Sequence, residues 1–112
     1  MPDCLFCKIV AREIPAQLVF EDAQSIVFKD ISPKAPTHVL VVPKKHLDSL
    51  SSSKDEDAAL LGHLQRVAVA VAGQLSLKDF RLVTNNGRGA GQSVDHLHYH
   101  LMGGRPMQWP PG

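Results

Sequence analysis

His96-Leu97-His98-Tyr99-His100-Leu101-Met102 places three of the chain's six histidines in strict alternation. Successive side chains of a β-strand point to opposite faces, so a strand here puts the three imidazoles on one face and Leu97, Tyr99 and Leu101 on the other. A helix would turn the middle ring away. The pattern therefore predicts a strand over residues 95–102 with three titratable rings crowded onto one surface. Imidazole titrates near neutral pH and serves as nucleophile, proton donor or metal ligand, so such a row reads as a site with divided roles. A purely structural row is disfavoured, because desolvated imidazoles limit one another's charge and pack no better than aliphatic residues.

Immediately upstream lies the glycine-rich Asn86-Gly87-Arg88-Gly89-Ala90-Gly91-Gln92-Ser93. Successive amides of such a loop can form a nest for phosphate oxygens, although a flexible hairpin connection has the same composition. It matches neither the Walker loop nor the dinucleotide fingerprint, since no helix follows at the required spacing. Next to the histidines it becomes half of one constellation, an anion cradle beside a nucleophile strand. His38 opens another predicted strand and adds a donor, whereas His63, on the main helix, reads as a solvated or satisfied side chain.

The rest of the chain predicts an α+β fold, a mostly antiparallel five-stranded sheet with a short N-terminal helix and one long helix. Leu5, Phe6, Ile9 and Val10 recur at helical spacing over residues 4–12, with Pro15 limiting any extension. Leu18-Val19-Phe20, Ile26-Val27-Phe28 and Thr37-His38-Val39-Leu40-Val41-Val42 read as strands joined by turns. Ser53-Lys54-Asp55-Glu56 has the form of a capping box. It precedes a stripe of Leu60, Leu61, Leu64, Val67, Ala68, Val71 and Ala72 that is core rather than a cofactor box. A further strand is predicted over residues 80–85. No repeat or linker interrupts the pattern, so residues 1–112 are read as a single domain.

Twelve basic and eleven acidic residues give a net charge of +1, and no block of like charge suggests a nucleic-acid arm or a membrane patch. No apolar run approaches a membrane span and no signal sequence opens the chain, so a cytoplasmic protein is expected. The two cysteines, Cys4 and Cys7, are too few for a disulfide framework. Their spacing suits half of a metal site or a redox pair, or simply two small buried hydrophobes. The redox reading is poor because no βαβ pattern surrounds the pair.

The motif His96-x-His98-x-His100 followed by Leu101-Met102 resembles that of the histidine triad family. The likeness runs nearly end to end, through Phe6-Cys7-Lys8-Ile9, Asp30-Ile31-Ser32-Pro33, Ala35-Pro36-Thr37-His38, Pro43-Lys44-Lys45-His46 and Gly91-Gln92-Ser93-Val94. The ending, Gly103-Gly104-Arg105-Pro106-Met107-Gln108-Trp109-Pro110-Pro111-Gly112, is similar to the histidine triad nucleotide-binding branch rather than to the branch that cleaves dinucleoside polyphosphates. The resemblance implies a homodimeric purine nucleoside phosphoramidase acting on AMP-amine conjugates, with no organic cofactor. An AMP-binding or interaction module with incidental turnover, and a dinucleoside polyphosphate hydrolase, are the alternatives.

By the same resemblance, His98 attacks the α-phosphorus to give a nucleotidyl-histidine intermediate, and His100 with the amides after Gly91 and Gln92 steadies the phosphate. His38 shapes the site, Ser93 contacts the leaving-group side and Asn85 lies by the phosphate. Asp30 accepts from the ribose hydroxyls, and Phe28 and Ile31 flank the base. Trp109 reaches the partner subunit's site or anchors its own tail, and the main helix with the strand before the glycine-rich loop forms the dimer interface. Family members with the cysteine pair imply a structural zinc held by Cys4, Cys7, His46 and His96, which leaves catalysis to His98 and His100. Animal members of the nucleotide-binding branch usually lack the pair, so the two resemblances differ there.

Overall fold

A computed structural model describes residues 3–112 and shows one antiparallel five-stranded sheet. The strands are β1 (Leu18–Glu21), β2 (Ser25–Lys29), β3 (Thr37–Pro43), β4 (Phe80–Val83) and β5 (Tyr99–Gly103), in the order β1-β2-β3-β5-β4. The last strand thus enters the middle of the sheet, between β3 and β4. A short helix, α1 (Leu5–Val10), and a long one, α2 (Ala58–Gln74), complete the α+β fold. No helix among the described residues is long and apolar enough to cross a membrane.

The two faces of the sheet are sorted by period-2 alternation. Leu64, Val67, Ala68, Val71 and Ala72 of α2 pack on Val27, Val39, Val41, Leu97, Tyr99 and Leu101. On the other face Phe6 and Ile9 of α1 pack on Ile26, Phe28, Leu40 and Val42. Burying a leucine is worth roughly 1.5–3 kcal/mol, and a one-residue slip of β5 would exchange Leu97 and Leu101 for imidazoles in the α2 core. Burial therefore fixes the face on which the histidines emerge.

β4 ends at Val83 rather than residue 85, and three other boundaries differ from the sequence-based expectation for a definite reason. β5 begins at Tyr99 rather than residue 95, although the alternation of faces continues back through Leu97. Val41 pairs with Tyr99, so continuing the ladder would set Leu97 opposite Pro43, which has no N–H to give. The expected capping box also shifts by one residue. Ser53 Oγ donates to the Leu50 carbonyl at 2.6 Å, and the Lys54 amide donates to Asp57 Oδ2 at 2.9 Å. Lys45 holds the buried Asp57 at 2.6 Å, and a single 3₁₀ turn (Asp55–Asp57) precedes α2. Finally, α1 stops at Val10, well before Pro15, because Arg12 takes a left-handed φ of 64°.

Candidate active site and metal centre

Ending the β3–β5 ladder at Tyr99 leaves backbone groups for the histidines to use. The Pro43 carbonyl accepts from His96 Nε2 at 2.8 Å, and the His96 carbonyl accepts from His98 Nδ1 at 2.8 Å. A carbonyl can only accept, so in the neutral form of His98 the proton sits on Nδ1 and Nε2 carries the lone pair. Thr84 Oγ1 donates to the His98 carbonyl at 2.9 Å and holds the other end of the residue. Phe6 stands edge-on to the His98 ring with centroids 5.1 Å apart, and packs in the same manner on Phe28 at 5.4 Å.

His100 has the opposite tautomer, for a reason that begins one loop away. The Lys34 amide donates to His38 Nδ1 at 2.9 Å, so the proton of neutral His38 sits on Nε2. His38 Nε2 lies 2.9 Å from His100 Nδ1 and 3.3 Å from Asp30 Oδ2. His100 Nδ1 is thereby an acceptor, and the ring carries its proton on Nε2. Burial, opposed by Asp30 and assisted by Lys34, lowers His38 from the usual imidazole value. Burial and the neighbouring His98 and His38 rings lower His100 to about 4, against the pull of Asp30. Both rings are neutral at pH 7.

His38, His98 and His100 line a groove of about 1160 Å³ together with Asn85, Ser93, Asp30, Phe28 and Ile31. Phe6, Ile9 and Leu40 extend its apolar wall. Asp30 Oδ1 already accepts from the Ser32 amide at 2.7 Å, which orients the carboxylate. Gly91 and Gln92 do not line the groove. The Gly91 and Gln92 amides bond back to the Arg88 and Gly87 carbonyls at 3.0 and 3.1 Å, so this part of the loop is a closed turn rather than an open nest. The Gln92 side chain is a staple, accepting from the Gly87 amide and donating to the Asp48 and Val94 carbonyls. Gly91 is needed for its φ of 94°, a left-handed turn that points the chain toward Ser93.

The fourth ring of the cluster faces elsewhere. Cys4, Cys7, His46 and His96 present four ligand atoms within 4.8 Å of one another. His96 Nδ1 lies 3.2 Å from Cys4 Sγ and 3.6 Å from Cys7 Sγ, His46 Nδ1 lies 3.2 Å from Cys7 Sγ, and the two Nδ1 atoms are 3.1 Å apart. Zinc bonds of about 2.0–2.3 Å give tetrahedral edges of about 3.3–3.8 Å, close to these separations. The tautomers suit the same purpose. His96 Nε2 donates to Pro43 and His46 Nε2 to Asp48 at 2.7 Å, leaving both Nδ1 lone pairs turned inward. Burial, only partly offset by the Pro43 carbonyl, lowers His96 to about 4 and keeps it neutral. Burial and the Cys4 thiol push the Cys7 thiol up. Two sulfurs and two inward lone pairs at these distances form a donor set of the kind that could hold a thiophilic cation. Asp30, His38 and His100 also converge, but the Lys34 amide keeps the proton of His38 on the nitrogen a metal would need.

The sequence model of the HIT domain family matches residues 11–107. The chain belongs to the HIT domain family. An uncharacterized HIT-like protein of Synechocystis is 56% identical over 111 residues, covering 98% of this chain and 97% of its own length. A HIT family hydrolase of Legionella pneumophila superposes with a TM-score of 0.95 at 49% identity, covering 98% of this chain and 100% of that one. A histidine triad nucleotide-binding protein of Candida albicans gives 0.83 at 34% identity, covering 96% and 83%. The fold is thus that of HIT family hydrolases and nucleotide-binding proteins.

Three features of this HIT domain escape a reading of side-chain types. Phe6 reads as helix core and proves to abut the central histidine. The Lys34 amide and the Pro43 carbonyl set tautomers as backbone groups, which no residue type announces. His63, as expected, is a satisfied side chain, bonded to Asp22 at 2.7 Å.

The lowered His100 makes the stability of the HIT domain depend on pH. An unfolded imidazole titrates near 6.5, so between about 6.5 and about 4 the unfolded chain holds a proton that the folded chain lacks. Stability is therefore expected to be fully present above this window and to fall as the pH drops through it. His100→Asn removes that proton, and its urea-unfolding free energy should fall less steeply across the window, by up to about 1.4 kcal/mol per pH unit. Equal slopes in the two proteins would refute the assignment.

Proposed function

We propose that the chain is a homodimeric, cytoplasmic purine nucleoside phosphoramidase that hydrolyses the P–N bond of AMP joined to an amine. This reading is carried by two opposite tautomers side by side in one groove, a lone pair at His98 Nε2 and an N–H at His100 Nε2. His98 Nε2 attacks the α-phosphorus, the P–N bond breaks, and its electron pair leaves on the amine nitrogen, which takes up a proton from water. A water molecule then attacks the same phosphorus, gives up a proton to solvent and returns the bonding pair to Nε2, so one hard displacement becomes two. His100 and Asn85 donate to the non-bridging oxygens, where charge gathers in the transition state. Ser93 meets the leaving group, Asp30 the ribose hydroxyls, and Phe28 and Ile31 the base. The apolar wall favours a flat purine over recognition of its edge.

Zinc in the Cys4-Cys7-His46-His96 set would be structural, since four protein ligands leave no open position. It would tie α1 to the segments that follow β3 and precede β5. The homodimer would use the edge strand β4 and the outer face of α2, where Phe80 and Val69 are exposed.

One preparation tests the activity, with turnover of tryptamine-linked AMP and of diadenosine tetraphosphate measured beside AMP binding. The phosphoramidate is expected to lead in kcat/KM by at least about tenfold, roughly 1.4 kcal/mol of transition-state binding. Faster dinucleotide cleavage, or AMP binding with no turnover of either compound, would overturn the reading.

A further inference from the structure

We propose that Gly103-Gly104-Arg105 is a clamp that sets the protons on His38 and His100, with Arg105 as its positioning residue. The effect on turnover rests on the phosphoramidase reading, whereas the proton placement does not. The segment between β2 and β3 has no regular structure, and Ile31, Ser32, Pro33 and Lys34 are exposed. Yet the Lys34 amide in this segment decides which nitrogen of His38 is an acceptor. Inside the segment the Ser32 amide bonds to Asp30 Oδ1, and the Lys34 carbonyl is held from outside.

Two independent contacts from the end of β5 hold the segment. Arg105 Nη2 donates to the Lys34 carbonyl at 2.9 Å, so Lys34 is gripped at its oxygen by Arg105 and at its N–H by His38. Gly104 has a φ of 95°, and a Cβ there would stand 2.9 Å from Pro36 Cβ, so the backbone lies directly on the loop. Gly103 is equally confined on its other side, where a Cβ would meet Leu77 Cδ2 at 2.9 Å and the Asp79 carbonyl at 3.0 Å.

Release of the Lys34 amide has a definite chemical consequence. His38 Nδ1 can then take the proton, and His38 Nε2 becomes an acceptor facing His100 Nδ1 across 2.9 Å. The His100 proton moves to Nδ1 to fill that bond. His100 Nε2 is left with a lone pair aimed at the groove, where the reaction needs a donor to a phosphate oxygen. The clamp holds the chain of hydrogen bonds in the productive direction.

Nitrogen-15 NMR of the imidazole side chains in the free protein tests the placement, alongside kinetics with tryptamine-linked AMP. Wild-type protein is expected to show Nε2–H tautomers at His38 and His100. In Arg105→Ala a Nδ1–H population appears at both, and kcat falls about tenfold, part of the roughly 10²–10³-fold that one donor to a developing oxyanion supplies, while KM changes little. Arg105→Lys, which can still donate to the Lys34 carbonyl, restores both readouts. Arg81→Ala frees only the Gln108 carbonyl farther along the tail and leaves the tautomers as in wild type. Wild-type tautomers in Arg105→Ala, or altered tautomers with unchanged kcat, overturn the clamp. If wild-type protein turns over no phosphoramidate, the functional reading fails and the spectra alone decide the clamp.

Discussion

His98→Gly is expected to lose about 10⁴-fold or more in kcat, the scale seen when a covalent nucleophile is deleted, while AMP binding changes only a few-fold. The two effects separate because the groups around the groove do different work. Asp30, Ser93, Asn85 and the apolar wall are untouched by the substitution and continue to hold the nucleotide. What disappears is the one nitrogen whose lone pair is left free by the bond from Nδ1 to the His96 carbonyl. His100 cannot replace it, because His100 carries a proton on the groove-facing nitrogen. Removing a buried ring beside Phe6 leaves a cavity and costs stability, so folding of the variant is checked by its unfolding curve. Quenching wild-type turnover in alkali, where a phosphorus–imidazole bond persists, should trap a nucleotidyl group on the protein, and the variant should trap none. Turnover by His98→Gly within tenfold of wild type would show that the nucleophile lies elsewhere.

Much of this arrangement is legible in the chain, and the division follows from what residue types encode. Alternation in residues 96–102 places Leu97, Tyr99 and Leu101 in the core and the histidines opposite, because a half-buried strand admits only one choice of face. The α2 stripe and the β-branched runs give the α+β class by the same logic of period. Boundaries are less legible where a tertiary contact overrides local preference. Lys45 draws Asp57 into the cap that Ser53 and Glu56 would otherwise form, and Pro43 ends the β5 ladder from across the sheet. In the site, the Cys4 and Cys7 spacing announces two ligands. Their partners lie up to 89 residues away from Cys7, and only the topology brings His46 and His96 to them. The tautomers are the least legible feature. They depend on the Pro43 and His96 carbonyls and the Lys34 amide, main-chain groups that every residue carries alike apart from proline's missing N–H.

Metal removal is expected to give the largest change in stability. Purified wild-type protein should carry about one zinc per chain, and Cys7→Ser should carry none. A structural zinc in a small peptide is worth about 10–16 kcal/mol of apparent binding free energy, and only part of that can appear here because the α2 core folds without it. A loss of even about 3 kcal/mol would lower the Tm of a domain this size by more than 10 °C. The damage should be local before it is global. Without the cation, the two inward lone pairs 3.1 Å apart are met only by weak thiol donors, Cys4 and Cys7 at 3.2 Å, and the link between α1 and the segment before β5 loosens. Proteolysis should then cut first within residues 3–15. Because α1 carries Phe6 to His98 and to Phe28, the same loss should raise KM for a purine nucleotide and lower kcat together. Chelator-treated wild-type protein should reproduce both effects and regain stability with added zinc. Protein isolated without chelator that contains no metal, or a Cys7→Ser variant with wild-type Tm, would reduce Cys4 and Cys7 to packing residues on a short helix.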